Sequence, residues 1–197
     1  MNIFYLDRDT KKCAEMHVDK HCVKMILEYA QLLSTAHRVL DGTPTDGKSE
    51  SGRKKTTYIL PNAYDSVLYS ATHINHPSAV WVRKSSNNYV WLHNLLVSLC
   101  KEYTYRYGKV HKCEETGLVK ALFFTPKNIP NQPFTEPTPA MPDTSKVTGD
   151  SIKSYRNYYF KEKQRMWSWK GKINSREQPQ WLFERISLKH YQQLHSL

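Results

Sequence analysis

The sequence predicts an all-α protein, a single compact domain of three main helices with long loops. Its 197 residues suit one domain, and 39% of them are hydrophobic, which is enough for a core. Glycine is scarce, at 7 residues, so the repeated glycine turns of a β-sandwich are not expected. Apolar residues recur at helical spacing in the long segments between the loops. Together these observations favour a single helical domain over residues 1–197.

The first long helix is expected over residues 10–40. Asp9 and Thr10 are residue types that cap a helix N-terminus, and Gly42 stops the helix. Residues 41–62 follow and are rich in Gly, Ser, Thr and Lys. We interpret them as a flexible basic loop.

The second long helix is expected over residues 78–107, after a short helix at 63–71. The run His76-Pro77-Ser78 is a start signal, because proline is favoured in the first helical turn. Gly108 is a typical C-terminal stop.

The third helix is expected from Ser151 to about Trp167. A short helix near 114–123 and a Pro-rich loop at 125–150 separate it from the second helix. The tail, 168–197, carries two tryptophans and is expected to fold back on the domain.

The charge of the chain favours an anionic partner. Lys and Arg number 29 against 18 Asp and Glu, a net charge of +11, which suits nucleic acid. No apolar run approaches a membrane span, and the first residues are too quickly charged for a signal peptide. The four cysteines form no CxxC pair and are expected as free thiols in a reducing cytoplasm. We therefore expect DNA as the partner, no membrane and a monomer.

A narrow polar stripe follows the first helix. At about 100° per residue, its members fall close to one line while the rest of the helix is mostly apolar. These residues are His17, His21, Lys24, Glu28, Gln31 and Thr35. A helix that is apolar nearly all round is buried, so its polar line should face a polar cavity. Imidazoles, an amine and a carboxylate in one cavity are what acid–base or nucleophilic catalysis needs.

Two other interpretations of this stripe remain open. It could be a narrow solvated strip in which Lys24 and Glu28 form an ordinary i,i+4 ion pair. It could instead hold a metal through His17 and His21, with His73 and His76 as further ligands. A lysine in the same line opposes a metal cation, so we expect neither a metal nor a cofactor.

Cations and aromatic residues alternate in two later segments, 103–112 and 155–161. Cations suit phosphates, and aromatic faces suit unstacked bases. The expected DNA-binding residues are His17, Arg83, Arg106, Lys109, Lys112, Tyr155, Arg156, Tyr159 and Lys161. Alternatively, the tyrosines spaced four apart at 103 and 107 and at 155 and 159 are core residues.

Two of these segments resemble a known family. Asp19-Lys20-His21, with Glu28 seven residues beyond the histidine, resembles the first helix of the pyrimidine-dimer DNA glycosylase (endonuclease V) family of phages and viruses. The run 155–161 is similar to that family's C-terminal aromatic and basic segment. Closer still are tailed-phage proteins grouped with the family, which share DKHxxKM, YRYGKxHK and AMPD-like strings.

The resemblance implies a single all-α domain that flips a base out of the duplex and cleaves its glycosidic bond. Glu28 would stabilise the cationic sugar centre or move protons, and His21 would hold phosphate or sugar. The family's attacking amine is the α-amino group exposed after loss of the initiator Met, for which Asn2 is unfavourable. Lys24, one turn before Glu28, is expected to replace that amine, made nucleophilic by burial.

Three functions follow, in descending order of support. The first is a DNA glycosylase, with or without abasic-site lyase activity, acting on damaged or modified pyrimidines. The second is a phage enzyme that acts on a nucleotide or modified DNA base without a repair role. The third is a non-catalytic DNA-binding protein, which does not need a buried carboxylate.

Overall fold

The computed structural model describes residues 1–48, 51–61 and 63–195. Within them lie helices α1 (Thr10–Met16), α2 (Asp19–Asp41), α3 (Tyr64–Val67), α4 (Pro77–Arg83), α5 (Ser86–Tyr107), α6 (Lys112–Glu115), α7 (Leu118–Ala121), α8 (Ser151–Glu162) and α9 (Gln180–His195), with strands β1 (Thr43–Lys48) and β2 (Lys54–Ile59). Short 3-10 turns occur at 143–145 and 164–166. The protein is therefore mostly helical.

The all-α expectation is corrected by a β-hairpin in place of the flexible loop at 41–62. β1 and β2 pair antiparallel, from Thr43 opposite Ile59 to Lys48 opposite Lys54. Threonine and other β-branched or aromatic residues in this segment favour extended backbone. The many Gly, Ser and Lys residues around them led to the interpretation of the segment as a loop. Of the segment expected as a loop, residues 49, 50 and 62 lie outside the described residues.

The helix expected over 10–40 is two helices, because the chain is extended at His17 and Val18. Arg106 holds this break: its guanidinium donates to the backbone oxygens of Glu15 and His17 at 2.9 and 2.8 Å. The carbonyl groups at the end of α1 are thereby satisfied without a continuing helix. The N–H of Asp19 donates in turn to the carbonyl of Ser168.

The second long helix is also divided, into α4 and α5. Ser85 is extended and caps α5 through its hydroxyl, which accepts from the Asn87 N–H at 3.1 Å. His76 caps α4 in the same way, and α5 ends at Gly108, whose φ of 64° suits glycine. The third helix ends at residue 162, earlier than expected.

The core lies between α2, α4 and α5, with α1 packed on α5. The Pro-rich segment is bound to this core: the Trp81 indole N–H donates to the Thr135 carbonyl, and the Thr135 N–H donates to the Asn88 side-chain oxygen.

The tail folds back on the domain as expected, with Trp169 buried and its indole N–H bonded to the Met16 carbonyl. Residues 196 and 197 of the tail lie outside the described part. Among the described residues, no helix is long and apolar enough to cross a membrane.

Candidate functional site

The polar stripe of α2 lies at the boundary between core and solvent rather than on a fully buried helix. Val23 and Leu27 are exposed at 40% and 39%, which corrects the expectation of a helix buried on every side. His21 and Thr35 are buried, while Glu28 and Gln31 are half-buried. The stripe is therefore buried at both ends, at His17 and Thr35, and reaches solvent in the middle, at Lys24.

Lys24 and Glu28 form an ion pair at this boundary. The ammonium Nζ lies 2.9 Å from the carboxylate Oε1, with 69% of the lysine side chain exposed and only 13% of the glutamate. The lysine is thus not buried, which corrects the expectation that desolvation makes it nucleophilic. The carboxylate, in contrast, is largely shielded from water while remaining reachable.

The segment from Thr72 to His76 runs beside this stripe. Thr35 fixes it, since its hydroxyl accepts from the Thr72 N–H at 3.2 Å and lies 3.4 Å from the Thr72 carbonyl. His73 has φ of 48°, the only left-handed non-glycine residue in the described part of the chain. Such a conformation is strained for an L residue and often marks functional sites.

His76 connects this segment electrostatically to Glu28. Its Nδ1 accepts from the Ser78 N–H, so when neutral it carries its proton on Nε2. Burial lowers the pKa of His76, and the positive charges of the Met1 amino group and of His73 lower it further, whereas the Glu28 carboxylate raises it. The His76 imidazole is therefore within electrostatic range of Glu28, of His73 and of the Met1 amino group.

His21 is a buried residue that supports this site and does not contact a ligand. Its ring stacks on Phe4 with centroids 4.1 Å apart, and its Nδ1 lies 2.6 Å from the Tyr159 hydroxyl. Burial, followed by the charge of His17, lowers the pKa of His21 to about 2. A neutral histidine that is 4% exposed cannot hold a phosphate by charge, which corrects the role expected for it.

His17 is a fully buried structural residue. Its Nδ1 lies 2.7 Å from the Cys13 carbonyl, an acceptor only, so Nδ1 carries the proton and Nε2 accepts from the Tyr29 hydroxyl. Burial lowers the pKa of His17 to about 4. Both ring nitrogens are occupied, so His17 binds neither DNA nor metal, contrary to its expected role. Among the described residues, no group of three or more His, Cys, Asp or Glu side chains could hold a metal ion.

Arg106 is the clearest correction among the expected DNA-binding residues. It is completely buried, and its guanidinium bonds to the carboxylates of Glu102 and Asp19 at 2.7 and 3.0 Å as well as to the α1 carbonyls. The Asp19 carboxylate also accepts from the Ser168 hydroxyl at 2.6 Å. This network joins α1, α2, α5 and the tail, so Arg106 and Asp19 hold the fold together. Arg106 is therefore not available to contact DNA phosphates.

The other expected DNA-binding residues divide by exposure. Tyr155 and Tyr159 are fully buried core residues and cannot stack on bases, so the alternative interpretation of these rings is correct. Arg83 donates to the Ile74 carbonyl at 2.7 Å, and Arg156 to the Leu6 carbonyl at 3.0 Å, which leaves them only partly available. The exposed cations are Lys109, Lys112 and Lys161.

Sequence reasoning proposed Glu28 and Lys24 as site residues and gave their ion pair only as an alternative. His73 and His76 entered it as further metal ligands, His76 also as part of a helix start, and the N-terminal amino group entered it through the family resemblance and was replaced by Lys24. The signal for His76 was the start of α4, which positions the imidazole as a cap. The contribution of Met1 depends on how residues 1–6 pack. Neither a protein-family model, nor a curated protein, nor a solved structure matches this chain.

Proposed function

We propose that this protein is a DNA glycosylase that acts on damaged or modified pyrimidines, with Glu28 as its principal catalytic residue. The observation that carries the proposal is the position of Glu28. Its carboxylate is 13% exposed, lies 2.9 Å from the Lys24 ammonium, and is within electrostatic range of the His76 imidazole. A carboxylate screened from water stabilises a developing cation more strongly than one in bulk solvent.

The chemistry of glycosidic cleavage fits this arrangement. The sugar acquires positive charge at C1′ as the bond to the base breaks, and the Glu28 carboxylate stabilises that charge. A neutral His76 with its proton on Nε2 is suited to donate a hydrogen bond to the departing base. The net charge of +11 supports association with DNA phosphates.

An amine at C1′ would add an abasic-site lyase step. In that step the free amine attacks the C1′ aldehyde carbon of the abasic sugar, and water leaves as the imine forms. Loss of a C2′ proton then eliminates the 3′ phosphate and breaks the strand. Lys24 lies next to Glu28, and its side chain is exposed to solvent, the side from which a substrate sugar would approach. The ammonium must first lose a proton, because only the free amine attacks.

The deciding experiment is strand incision of plasmid DNA. Ultraviolet-irradiated supercoiled plasmid should be nicked, after alkaline treatment of abasic sites if no lyase step occurs, and undamaged plasmid should stay intact. Equal nicking of both plasmids would indicate a different enzyme. Absence of base release from either would favour a binding protein and overturn the proposal.

A further inference from the structure

The hairpin formed by β1 and β2 is exposed on both faces. All six residues of β1 are exposed, and Tyr58 at its base is half-buried. A two-stranded hairpin without a buried face is marginally stable in water. This one is anchored at its base, where Arg38 donates to the Tyr58 carbonyl at 2.7 Å. Most of its length therefore projects from the core without packing against it.

One face of the hairpin carries a pair of opposed lysines. Lys48 and Lys54 are direct partners in the strand register, so their side chains lie on the same face. Like charges directly opposite each other destabilise a strand pair. Neither lysine forms a salt bridge with any residue in the described part of the chain. The arrangement costs stability in the free protein, and an anion between the two ammonium groups would remove that cost.

The remaining surface of this face is polar. Asp46 and Thr56, the next cross-strand pair on the same face, hydrogen bond to each other at 2.9 Å. Across residues 43–59 the sequence has four cations, Lys48, Arg53, Lys54 and Lys55, against two carboxylates. An apolar protein partner would find little to bury here, whereas a polyanion finds complementary charge.

We propose that this hairpin is a second DNA-binding element that lies along a groove of duplex DNA, with Lys48 and Lys54 contacting phosphates. Six residues span about 20 Å, and the strands lie about 4.8 Å apart. A two-stranded ribbon of this width fits the major groove of B-DNA, which is about 12 Å wide. This inference takes DNA as the partner from the proposed function. It assigns a contact with DNA that is separate from Glu28.

The test compares two double variants of equal charge change. Lys48→Gln with Lys54→Gln removes the opposed pair, while Lys146→Gln with Lys153→Gln removes two lysines that each already pair with a nearby aspartate. Binding to a labelled, undamaged 25-base-pair duplex is measured over a range of KCl concentrations. For the hairpin variant, the plot of log affinity against log salt should be shallower than wild type by about 2. The Lys146 and Lys153 double variant should change this slope by less than half as much.

Stability and activity readouts separate the outcomes. The hairpin variant should melt no lower than wild type, because its repulsion is gone. Wild-type protein that fails to bind the duplex, or equal effects of the two variants, would overturn the inference. A third outcome separates the two proposals. If wild-type binding depends steeply on salt and the hairpin variant reduces that dependence, but no base is released from damaged DNA, the hairpin is supported as a DNA-binding element and the glycosylase is rejected.

Discussion

The Lys24 ammonium lies 2.9 Å from the Glu28 carboxylate, yet the lysine is 69% exposed and the glutamate only 13%. An ordinary surface pair would expose both partners and contribute little to stability. Here the shielded member is the carboxylate, and the accessible member is the amine. The pair therefore differs from an ordinary surface pair in that only its carboxylate is shielded from water, and its two members can be tested separately.

Glu28→Gln should preserve the fold and DNA binding but reduce base release at least 100-fold, on the scale of losing one transition-state electrostatic contact. The amide keeps the size of the side chain and loses its negative charge. Release of pyrimidine lesions from irradiated duplex measures the effect. Glu115→Gln, at an exposed position of α6, serves as the control and should retain full activity. Full activity of the Glu28 variant would exclude a role for its carboxylate.

Lys24→Ala should abolish trapping of the enzyme on damaged DNA by borohydride, because reduction captures an imine only where the amine attacks. Lys20→Ala, also exposed on α2 and one turn earlier, should leave trapping unchanged. Trapping is read as a slower-migrating protein band. A Lys24 variant that is still trapped would assign the attack to another amine.

Replacing Lys109, Lys112 and Lys161 together by alanine should reduce the salt dependence of DNA binding. It should lower the melting temperature little, because the Lys161 ammonium bonds to the carbonyl of Thr144, an exposed residue. Each lost phosphate contact lowers the slope of log affinity against log salt by about 0.9. Arg156→Ala, in contrast, should lower the melting temperature. Its guanidinium bonds to the Leu6 carbonyl and lies 5.4 Å from the Trp181 ring centroid, so its loss removes contacts that hold the fold. An unchanged slope in the triple variant would place the DNA elsewhere.

Stability should decline on acidification below pH 6.5 through His17 and His21. Both are neutral in the folded protein, with burial lowering their pKa values to about 4 and about 2, whereas the unfolded chain takes up these protons near pH 6.5. The stabilisation is therefore complete above pH 6.5 and is lost as pH falls toward the folded values, roughly 2 kcal/mol per histidine by pH 5.

Urea unfolding at pH 7.5, 6 and 5 measures this dependence for wild type and His17→Gln. The variant should start lower, because it loses bonds to Cys13 and Tyr29, but its stability should depend less steeply on pH. Identical pH slopes in the two proteins would contradict the assignment of a neutral, buried His17.

Gly171→Ala should destabilise the protein more than Gly149→Ala. Both glycines have positive φ, 58° and 73°, so an alanine is strained at either position. A Cβ at Gly171 would lie 2.3 Å from the Asn174 carbonyl oxygen and 3.0 Å from that of Arg106, whereas one at Gly149 meets nothing within 4 Å. The additional cost at Gly171 should be about 1–3 kcal/mol, measured by urea denaturation. Equal losses would contradict the close approach of this turn to α5.

The sequence by itself determined where helices begin and end when the signal lies within a few residues. The Pro77 start, the Gly108 stop and the Asp150 cap all depend on local backbone bonds. The pairing of Lys24 with Glu28 is equally local, because side chains four apart meet on any α-helix. These features were predictable since a single helical geometry fixes them.

Only the tertiary structure decided the breaks in the long helices, the hairpin and the surroundings of Glu28. Arg106 donates to the carbonyl of His17, a residue 89 positions away in the chain. The sequence suggested a DNA contact for this arginine, and only that distant acceptor shows that it is a buried structural cation. The hairpin has no apolar face, so it lacks the alternating pattern that identifies a strand. The His76 imidazole and the Glu28 carboxylate interact electrostatically because folding packs α4 against α2. Periodicity identifies which side of a helix is polar, but what lies opposite that side is set by contacts between residues far apart in the chain.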